Sequence, residues 1–312
     1  MRLLAAGLLA GCAAAPPMPQ PTGRAVELQE VVFHPQKRYQ CGPAALATAL
    51  DASGVTVSPD ALVAEVYLPD RKGSLQSEMI AAARRHERVA VRIPGTQEAI
   101  VQQLEAGTPV LLLLNLGFSW LPVWHYAVVV GYAPQEPSYV LRSGTSRRAI
   151  MSTGALARSW AYSEQWAVVL SALDRIPVSA EPKQWLAAVA PFESLGRYEL
   201  ATQGYQAAVA RWPDSALAWT ALGNVTARRA QWAAAVRYYG KAIALQDSVI
   251  TRNNRASALG ELQCRALAIA DLEAARRLDS QGRYAAALAD TLAGLPAQGA
   301  CPATLGDGDS ES

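Results

Sequence analysis

The chain has 312 residues, of which 51% are hydrophobic and 17% are charged. That length exceeds what one hydrophobic core usually holds, so we expect two domains. The composition is typical of an ordered globular protein and excludes an intrinsically disordered one. The formal net charge of +2 gives no electrostatic reason to expect a nucleic acid partner. No stretch reaches the roughly 18 uninterrupted apolar residues that a membrane-spanning helix needs.

The first residues are typical of an export signal. A positive charge at Arg2 precedes the apolar run 3–10, and small residues follow. Leu9-Ala10-Gly11-Cys12 resembles the lipobox of bacterial lipoproteins. The resemblance implies that Cys12 is lipidated and becomes the new N-terminus, so that residues 1–12 are the signal. The alternative is an ordinary signal peptide, cleaved nearby, in which Cys12 has no role.

The lipobox resemblance also predicts a location. No aspartate follows Cys12, which in that family favours sorting to the outer membrane. We therefore expect the protein in the bacterial cell envelope, anchored by its lipid on the periplasmic face of the outer membrane. Acyl chains contribute roughly 0.8 kcal/mol per buried methylene to such an anchor. The proline-rich residues 13–23 would form a semi-rigid tether.

Two regions of different pattern follow the tether. Residues 24–172 mix helical and strand patterns, and residues 183–290 are helical throughout. Between them, residues 173–182 contain two prolines and are predicted to be a linker. Residues 291–312 are rich in Gly, Pro, Asp and Ser, which predicts a flexible tail.

In the first region, helices precede most of the strands. An N-cap residue, Ser58 or Thr96, marks the start of two of the helices. The predicted helices are 41–53, 59–64, 77–85 and 97–104. The predicted strands are 110–115, 125–132, 139–141 and 166–170. Helices followed by an antiparallel sheet make an α+β domain.

Cys41 stands at the start of the first predicted helix, in the sequence Cys41-Gly42-Pro43. A free thiol is only a few per cent thiolate at neutral pH. The positive end of a helix dipole and a nearby imidazole both favour the thiolate, so cysteine nucleophiles occupy helix starts. Gly42 has no side chain, and we expect it to let a substrate backbone come close. Cys41 is therefore the candidate nucleophile.

Three histidines could supply the base. His86 lies in a charged helix end and is expected to be solvated. His34 lies in an extended segment seven residues before Cys41. His125 opens a strongly apolar strand, which would hold the imidazole rigidly, as a general base requires. A histidine in such a place is more often a satisfied core residue, but the pairing with Cys41 favours His125 as the base.

Residues 36–46 (QKRYQCGPAAL) and 125–132 (HYAVVVGY) resemble the bacteriocin-processing peptidases. Members of that family are papain-like in fold and cleave leader peptides after paired glycines. The resemblance covers about 150 residues and implies a cysteine peptidase with no metal or organic cofactor. In the family, a glutamine before the cysteine helps to form the oxyanion hole. Gln36 matches best, one residue closer to Cys41 than in many relatives, and Gln40 is the alternative.

The chain departs from this family at one position. The family usually has an aspartate after the next strand, which orients the histidine. Here that stretch reads Val140-Leu141-Arg142-Ser143-Gly144-Thr145, without a carboxylate. Ser143 would accept a weaker hydrogen bond from the imidazole, and Asn115 is the other candidate. Loss of an orienting carboxylate can cost several powers of ten in rate.

The loop of residues 116–124 (LGFSWLPVW) leads directly into His125. Its aromatic residues either pack on their own domain or form a wall of the substrate groove, since aromatic side chains beside a base shape specificity pockets. The sequence leaves both interpretations open.

The second region contains a repeat with offsets of 34 and then 33 residues. Trp219, Leu222 and Gly223 are similar to the opening of a tetratricopeptide repeat. A small–large–small signature occurs three times, at Ala201, Tyr205 and Ala208, at Ala235, Tyr239 and Ala242, and at Ala268, Leu272 and Ala275. We expect about three repeats, each burying its face against the next. A coiled coil is disfavoured because no heptad pattern persists.

Repeats of this kind imply a concave face that binds a peptide or protein partner. Six cations either make that face basic or are ordinary solvated positions: Arg228, Arg229, Arg237, Lys241, Arg252 and Arg255. Cys264 and Cys301 could form a disulfide in an oxidising periplasm, which would tie the tail to the third repeat, whereas a free buried thiol at Cys264 is the alternative.

The leading hypothesis is therefore an exported, lipid-anchored cysteine peptidase whose repeats recruit a protein partner. The contrasting hypothesis is a scaffold, in which a peptidase-like domain binds a peptide without cutting it. A third possibility is acyl transfer by the same pair of residues. Labelling of Cys41 separates the first from the second, and product mass separates hydrolysis from transfer.

Overall fold

The computed structural model describes residues 21–299 and 301–302. The predicted lipoprotein signal with Cys12, most of the tether and the end of the tail lie outside the described residues. Within the described part of the chain, no helix has both the length and the apolar character needed to cross a bilayer.

The first region contains seven strands and five α-helices. The strands are β1 (Val26–Glu27), β2 (Val89–Arg92), β3 (Val110–Asn115), β4 (Trp124–Ala133), β5 (Ser138–Ser143), β6 (Ser146–Ser152) and β7 (Ala167–Ser171). The helices are α1 (Cys41–Ala52), α2 (Pro59–Val66), α3 (Gln76–Arg85), α4 (Gln97–Glu105) and α5 (Thr153–Ala161), with a 3-10 turn at Pro69–Arg71. The predicted caps are confirmed, since the hydroxyls of Ser58 and Thr96 accept hydrogen bonds from Ala61 N and Ala99 N.

All strand pairs are antiparallel, and the sheet order is β2-β7-β3-β4-β5-β6, with β1 beside β4. Successive side chains of a strand point to opposite faces. Tyr126, Val128 and Val130 of β4 therefore pack in the core that contains α1. Ala127 and Val129 lie in the core on the other face. The α+β prediction is confirmed, and the sheet carries a core on each face.

The sequence analysis did not predict the strands β1, β2 and β6 or the helix α5. β1 and β2 have only two and four residues. β6 is an edge strand with consecutive arginines at 147 and 148, which is typical of an exposed edge and hides the apolar pattern. The apolar central strand β3, in contrast, has the predicted bounds.

The second region is all-α, as predicted. Its helices are α6 (Pro182–Ser194), α7 (Tyr198–Arg211), α8 (Ala216–Arg228), α9 (Trp232–Leu245), α10 (Val249–Glu261), α11 (Arg265–Leu278) and α12 (Ala285–Ala293). All nine residues of the small–large–small signature are buried. Three pairs of helices, α6–α11, are followed by α12, and the short turns between 13- or 14-residue helices exclude a long coiled coil.

The predicted linker is an ordered part of the contact between the two regions. Leu173 and Ala180 are buried with Trp185 of α6 in a core that also holds Val89 and Val91 of β2. The edge strand β2 is thereby packed against α6.

The predicted disulfide joins Cys264 and Cys301 in the structure, in place of a free thiol at Cys264. The start of the predicted tail is ordered. Leu295 packs in the core of the last helices, and Arg265 Nη1 donates to Pro296 O at 2.8 Å. The tail is held there because Leu295 supplies an apolar side chain to that core.

Most of the six cations proposed for a basic concave face have partners. Arg252 and Arg255 both bind the buried carboxylate of Asp271, at 2.8 and 2.6 Å. Arg229 lies 3.8 Å from Glu199. Lys241 Nζ lies 4.6 Å from the centre of the Trp219 ring. These four side chains are engaged within the array, and of the two interpretations left open by the sequence this disfavours a basic concave face.

We expect Gly223→Ala in α8 to destabilise the array by about 1–3 kcal/mol, because overpacking a well-filled core costs that amount. A Cβ at this position would lie 2.5 Å from the ring of Tyr239. Gly240→Ala in α9 is the matched control, since its Cβ would meet nothing closer than 3.6 Å. Alanine is the better helix former, so the control should be neutral or stabilising. Equal urea midpoints for the two variants would contradict this account.

Candidate active site

Cys41 is the first residue of α1, and its side chain is partly exposed. The chain enters the helix through Tyr39, whose φ of 65° is unusual for a bulky residue. Gly42 has a different role from the expected one. A Cβ there would lie 2.2 Å from Ser74 Oγ, so the glycine makes room for Ser74 and not for a substrate.

The sulfur of Cys41 has opposing influences on its pKa. Burial raises the pKa of the thiol, and this is the largest effect. The backbone N–H groups of Tyr126, Gly42 and Cys41 itself lower the pKa, but by less. The net pKa lies above the ordinary value, which is opposite in direction to the expected stabilisation of the thiolate. The thiol is protonated at neutral pH.

His125 lines the same cavity as Cys41. It is the second residue of β4, opposite Leu114 of β3, and its neighbour Tyr126 supplies the N–H that faces the sulfur. Its Nε2 lies 2.8 Å from Ser143 Oγ. Burial lowers the pKa of His125, so the imidazole is neutral at pH 7. With Nε2 engaged by Ser143, Nδ1 is the nitrogen left to accept a proton.

The other two histidines have carboxylate partners. His34 binds Asp51 of α1, and His86 Nε2 lies 3.0 Å from Glu65 Oε1. His86 is therefore not simply solvated, as the sequence suggested: its side chain is 24% exposed. The pair formed by His34 and Asp51 ties the segment before α1 to the helix.

Gln36 lies beside Cys41, whereas Gln40 lies at the N-terminus of α1. Gln36 and Cys41 line the same cavities, and the Gln36 Oε1 atom is buried without a hydrogen-bond partner among the described residues. Gln40 is the N-cap of α1, and its carbonyl accepts from Ala44 N at 3.3 Å. Of the two candidates, the structure therefore places Gln36 at the site.

A buried arginine that the sequence analysis missed holds the segment carrying Gln36. Arg142 is 5% exposed, and its guanidinium donates to the carbonyls of Val31 at 3.2 Å and Arg147 at 2.6 Å. It also reaches the carbonyls of Leu28 and Gln29 at 3.4 and 3.5 Å. A charged residue inside an apolar strand was the signal available in the sequence.

The tripeptide Arg142-Ser143-Gly144 connects the candidate residues. Arg142 holds the segment before α1, Ser143 binds His125, and the Gly144 carbonyl accepts from Gln36 N at 3.0 Å. One short stretch at the end of β5 therefore positions both the imidazole and the glutamine.

Asn115 does not take the role of orienting His125. Its Oδ1 accepts hydrogen bonds from Gly117 N at 2.9 Å and Val123 N at 2.8 Å, and its Nδ2 donates to Phe118 O at 3.3 Å. The amide is thus used to shape the loop between β3 and β4. Ser143 is the residue that contacts the imidazole.

Cys41 and His125 line one open groove of about 940 Å³. Pro122, Val123 and Trp124 of the aromatic loop form part of the wall. The tip of the loop is not packed on its own domain: Phe118 is 65% and Trp120 77% exposed. Of the two interpretations of the loop, the groove wall agrees with the structure.

Comparison with known proteins finds a family similar to the first region. Residues 16–167 match the Peptidase_C39 like family. This match covers slightly less than half of the chain and confirms, at the level of the C39-like peptidases, the resemblance inferred from the two motifs. No curated protein sequence matches the chain.

Several solved structures are similar to parts of the chain. A Bacillus anthracis protein assigned as a C39-like peptidase is 18% identical, with a TM-score of 0.39, over 47% of this chain and 96% of its own. The peptidase domain of Streptococcus ComA, described as a bi-functional ABC transporter in quorum sensing, is 19% identical, with a TM-score of 0.36, over 46% and 99%. The TPR2B domain of yeast Sti1, in complex with pHsp70, is 19% identical, with a TM-score of 0.35, over 36% and 94%.

We expect Arg142→Met to destabilise the protein by about 2 kcal/mol, because buried carbonyls lose their donor. It should also loosen the segment that carries Gln36. Hydrogen exchange at Gln36 N, which binds Gly144 O, should accelerate beyond the change in global stability. Arg147→Met, at an exposed position, is the control and should alter neither. Unchanged exchange at Gln36 in Arg142→Met would rule out the positioning role.

Proposed function

We propose that the first region is a cysteine peptidase with Cys41 as nucleophile and His125 as general base. One observation supports this assignment most strongly. The Cys41 sulfur faces the N–H of Tyr126, which directly follows His125, and both side chains line the same open groove. The match of residues 16–167 to the Peptidase_C39 like family agrees with it.

Cys41 and His125 are both neutral at rest, so the thiol proton is transferred as the sulfur attacks. His125 Nδ1 accepts the thiol proton as the Cys41 sulfur attacks the scissile carbonyl carbon, and the carbonyl oxygen becomes an oxyanion. The Gln36 side-chain amide and the backbone N–H of Cys41 are suited to donate to that oxyanion. His125 then returns the proton to the leaving amine. A water molecule, deprotonated by His125, releases the acyl group from the sulfur.

Ser143 replaces the orienting carboxylate in this proposal. Its hydroxyl fixes the imidazole tautomer through the 2.8 Å contact with Nε2. A neutral hydroxyl does not stabilise the imidazolium by charge, and burial is the cause of the lowered His125 pKa. We therefore expect a slower enzyme than a carboxylate-bearing relative.

The same observations favour a second candidate, a peptide-binding scaffold without turnover. A raised thiol pKa and an uncharged partner for the imidazole both reduce reactivity. Acyl transfer by the same pair differs from hydrolysis only in the nucleophile that releases the acyl group. Product masses distinguish these two reactions.

We expect Cys41→Ala to lower peptide hydrolysis at least about a thousandfold, as for other nucleophile deletions.

In the wild type, kcat/KM should stay constant as the pH falls through 6.5 and decline only below it, because the lowered pKa keeps His125 neutral. Ser143→Asp should raise the pKa of His125 and move this decline to higher pH. The measurement is a pH profile with a fluorogenic peptide library. A folded wild type without turnover, but with peptide binding, would support the scaffold.

We further propose that Cys12 carries a lipid and anchors the chain in the bacterial envelope. The support is the Leu9-Ala10-Gly11-Cys12 sequence. Cys12→Ala should move the protein from the membrane fraction to the soluble fraction and abolish incorporation of labelled palmitate. Palmitate incorporation into Cys12→Ala would contradict the assignment.

The helices α6–α11 are proposed to be tetratricopeptide repeats that recruit a protein partner. A cavity of about 350 Å³ lies between the first helices of the three pairs and includes Asn224, Arg228 and Asn254. A partner captured with the Cys41→Ala protein should be lost in Arg228→Ala/Asn254→Ala. Capture that is unaffected by these changes would exclude this surface.

A further inference from the structure

The groove lined by Cys41 and His125 has more positively than negatively charged residues. Four charged residues line it, namely Arg71, Lys72, Arg92 and Glu164. The side chains of the three cations form no ion pair with any described residue. Arg92 donates to the backbone carbonyl of Glu164 at 3.1 Å, and Lys72 Nζ lies 5.6 Å from the Tyr39 ring centre. An acidic group entering the groove would therefore find cations that are still available.

The same groove is bordered by exposed apolar side chains. Residues 116–124, here called the aromatic hairpin, contain no charged residue. Apart from Val32 and Ile150, every exposed large apolar residue between 21 and 172 lies on the hairpin or on the groove wall. A patch of this kind marks a binding surface, since scattered exposed apolar residues would not concentrate at one site.

The hairpin is also held in a defined shape. The Phe118 and Trp120 rings stack with centres 5.7 Å apart. A Cβ at Gly117 would lie 2.4 Å from Leu121 O, so the loop closes too tightly for any other residue. Together with the hydrogen bonds of Asn115, these contacts hold the solvent-exposed apolar rings in place before a ligand binds. Binding therefore costs little conformational entropy of the loop.

We propose that the groove selects polypeptide segments in which acidic residues stand next to large apolar residues. The carboxylates bind Arg71, Lys72 and Arg92, and the apolar side chains pack on the aromatic hairpin. This inference rests on the proposed peptidase function and names the class of its substrate.

A membrane surface is the other occupant that exposed aromatic residues could suit. The position of the hairpin argues against it. The hairpin precedes the start of β4, whereas Pro21, where the described chain begins, accepts a hydrogen bond from Tyr132 near the end of β4. A ten-residue strand spans about 33 Å, so the hairpin lies at the opposite end of β4 from Pro21, where the described chain begins.

The test measures binding separately from cleavage. Labelled twelve-residue peptides with two glutamates and two leucines are titrated into the Cys41→Ala protein and followed by fluorescence anisotropy. Matched peptides carry glutamine or lysine in place of glutamate, or alanine in place of leucine. We expect the acidic apolar peptide to bind about tenfold more tightly than each matched peptide, and its affinity to fall with added salt because exposed charges are screened.

Two double variants test whether the proposed surfaces cause this preference. In the Cys41→Ala background, Arg71→Glu/Lys72→Glu should abolish the preference for glutamate over lysine. Arg276→Glu/Arg277→Glu on α11 is the matched control, because it changes two adjacent exposed arginines outside the groove. Phe118→Ala/Trp120→Ala should remove the preference for leucine over alanine. Leu195→Ala is its control, at a side chain exposed to nearly the same degree, 64% against 65% for Phe118.

The outcomes separate this inference from the peptidase assignment. Selective binding of the acidic apolar peptide without cleavage by the wild type would support the inference and contradict the peptidase. Cleavage without any preference would support the peptidase and overturn the inference. Binding of the Cys41→Ala protein to phosphatidylglycerol vesicles that is lost in Phe118→Ala/Trp120→Ala, without peptide selectivity, would overturn it in favour of a membrane surface.

Discussion

The packing of α1 against the face of β4 is the constraint on which the rest of the structure depends. Tyr126, Val128 and Val130 bury their side chains in the core that contains α1. The side chains of a strand alternate between the two faces of the sheet, so this contact fixes which face of β4 lies against α1. It places Cys41, at the start of the helix, beside Tyr126, the residue that follows His125. The candidate site is a consequence of the core, since this packing places both side chains on the wall of one groove.

Burial has two effects at this site. It raises the pKa of Cys41 and lowers the pKa of His125, so that both groups are uncharged at rest. In many cysteine nucleophiles a helix start or a nearby cation instead lowers the thiol pKa. Here desolvation outweighs the backbone N–H groups. The proposed reaction then depends on proton transfer within the groove, which a bound peptide would shield further from water.

Arg142 is a buried charged residue that positions backbone segments and does not act through an ion pair. Its guanidinium contacts only backbone carbonyls among its hydrogen-bond partners, and these belong largely to a segment with little secondary structure of its own. The two following residues contact Gln36 and His125. The geometry of the glutamine and of the imidazole is thereby coupled through one tripeptide.

The sequence by itself determined the α+β and all-α regions, the cap residues Ser58 and Thr96, the bounds of β3 and the candidates Cys41, His125 and Gln36. These follow from periodicity, capping chemistry and motifs, which are local. Only the tertiary structure showed that Gln36 and not Gln40 lines the groove, that Ser143 and not Asn115 contacts the imidazole, and that burial raises the pKa of Cys41. Hydrogen-bond partners and desolvation come from residues distant in the chain, such as Gly144 for Gln36 and Tyr126 for Cys41, and no local pattern records them.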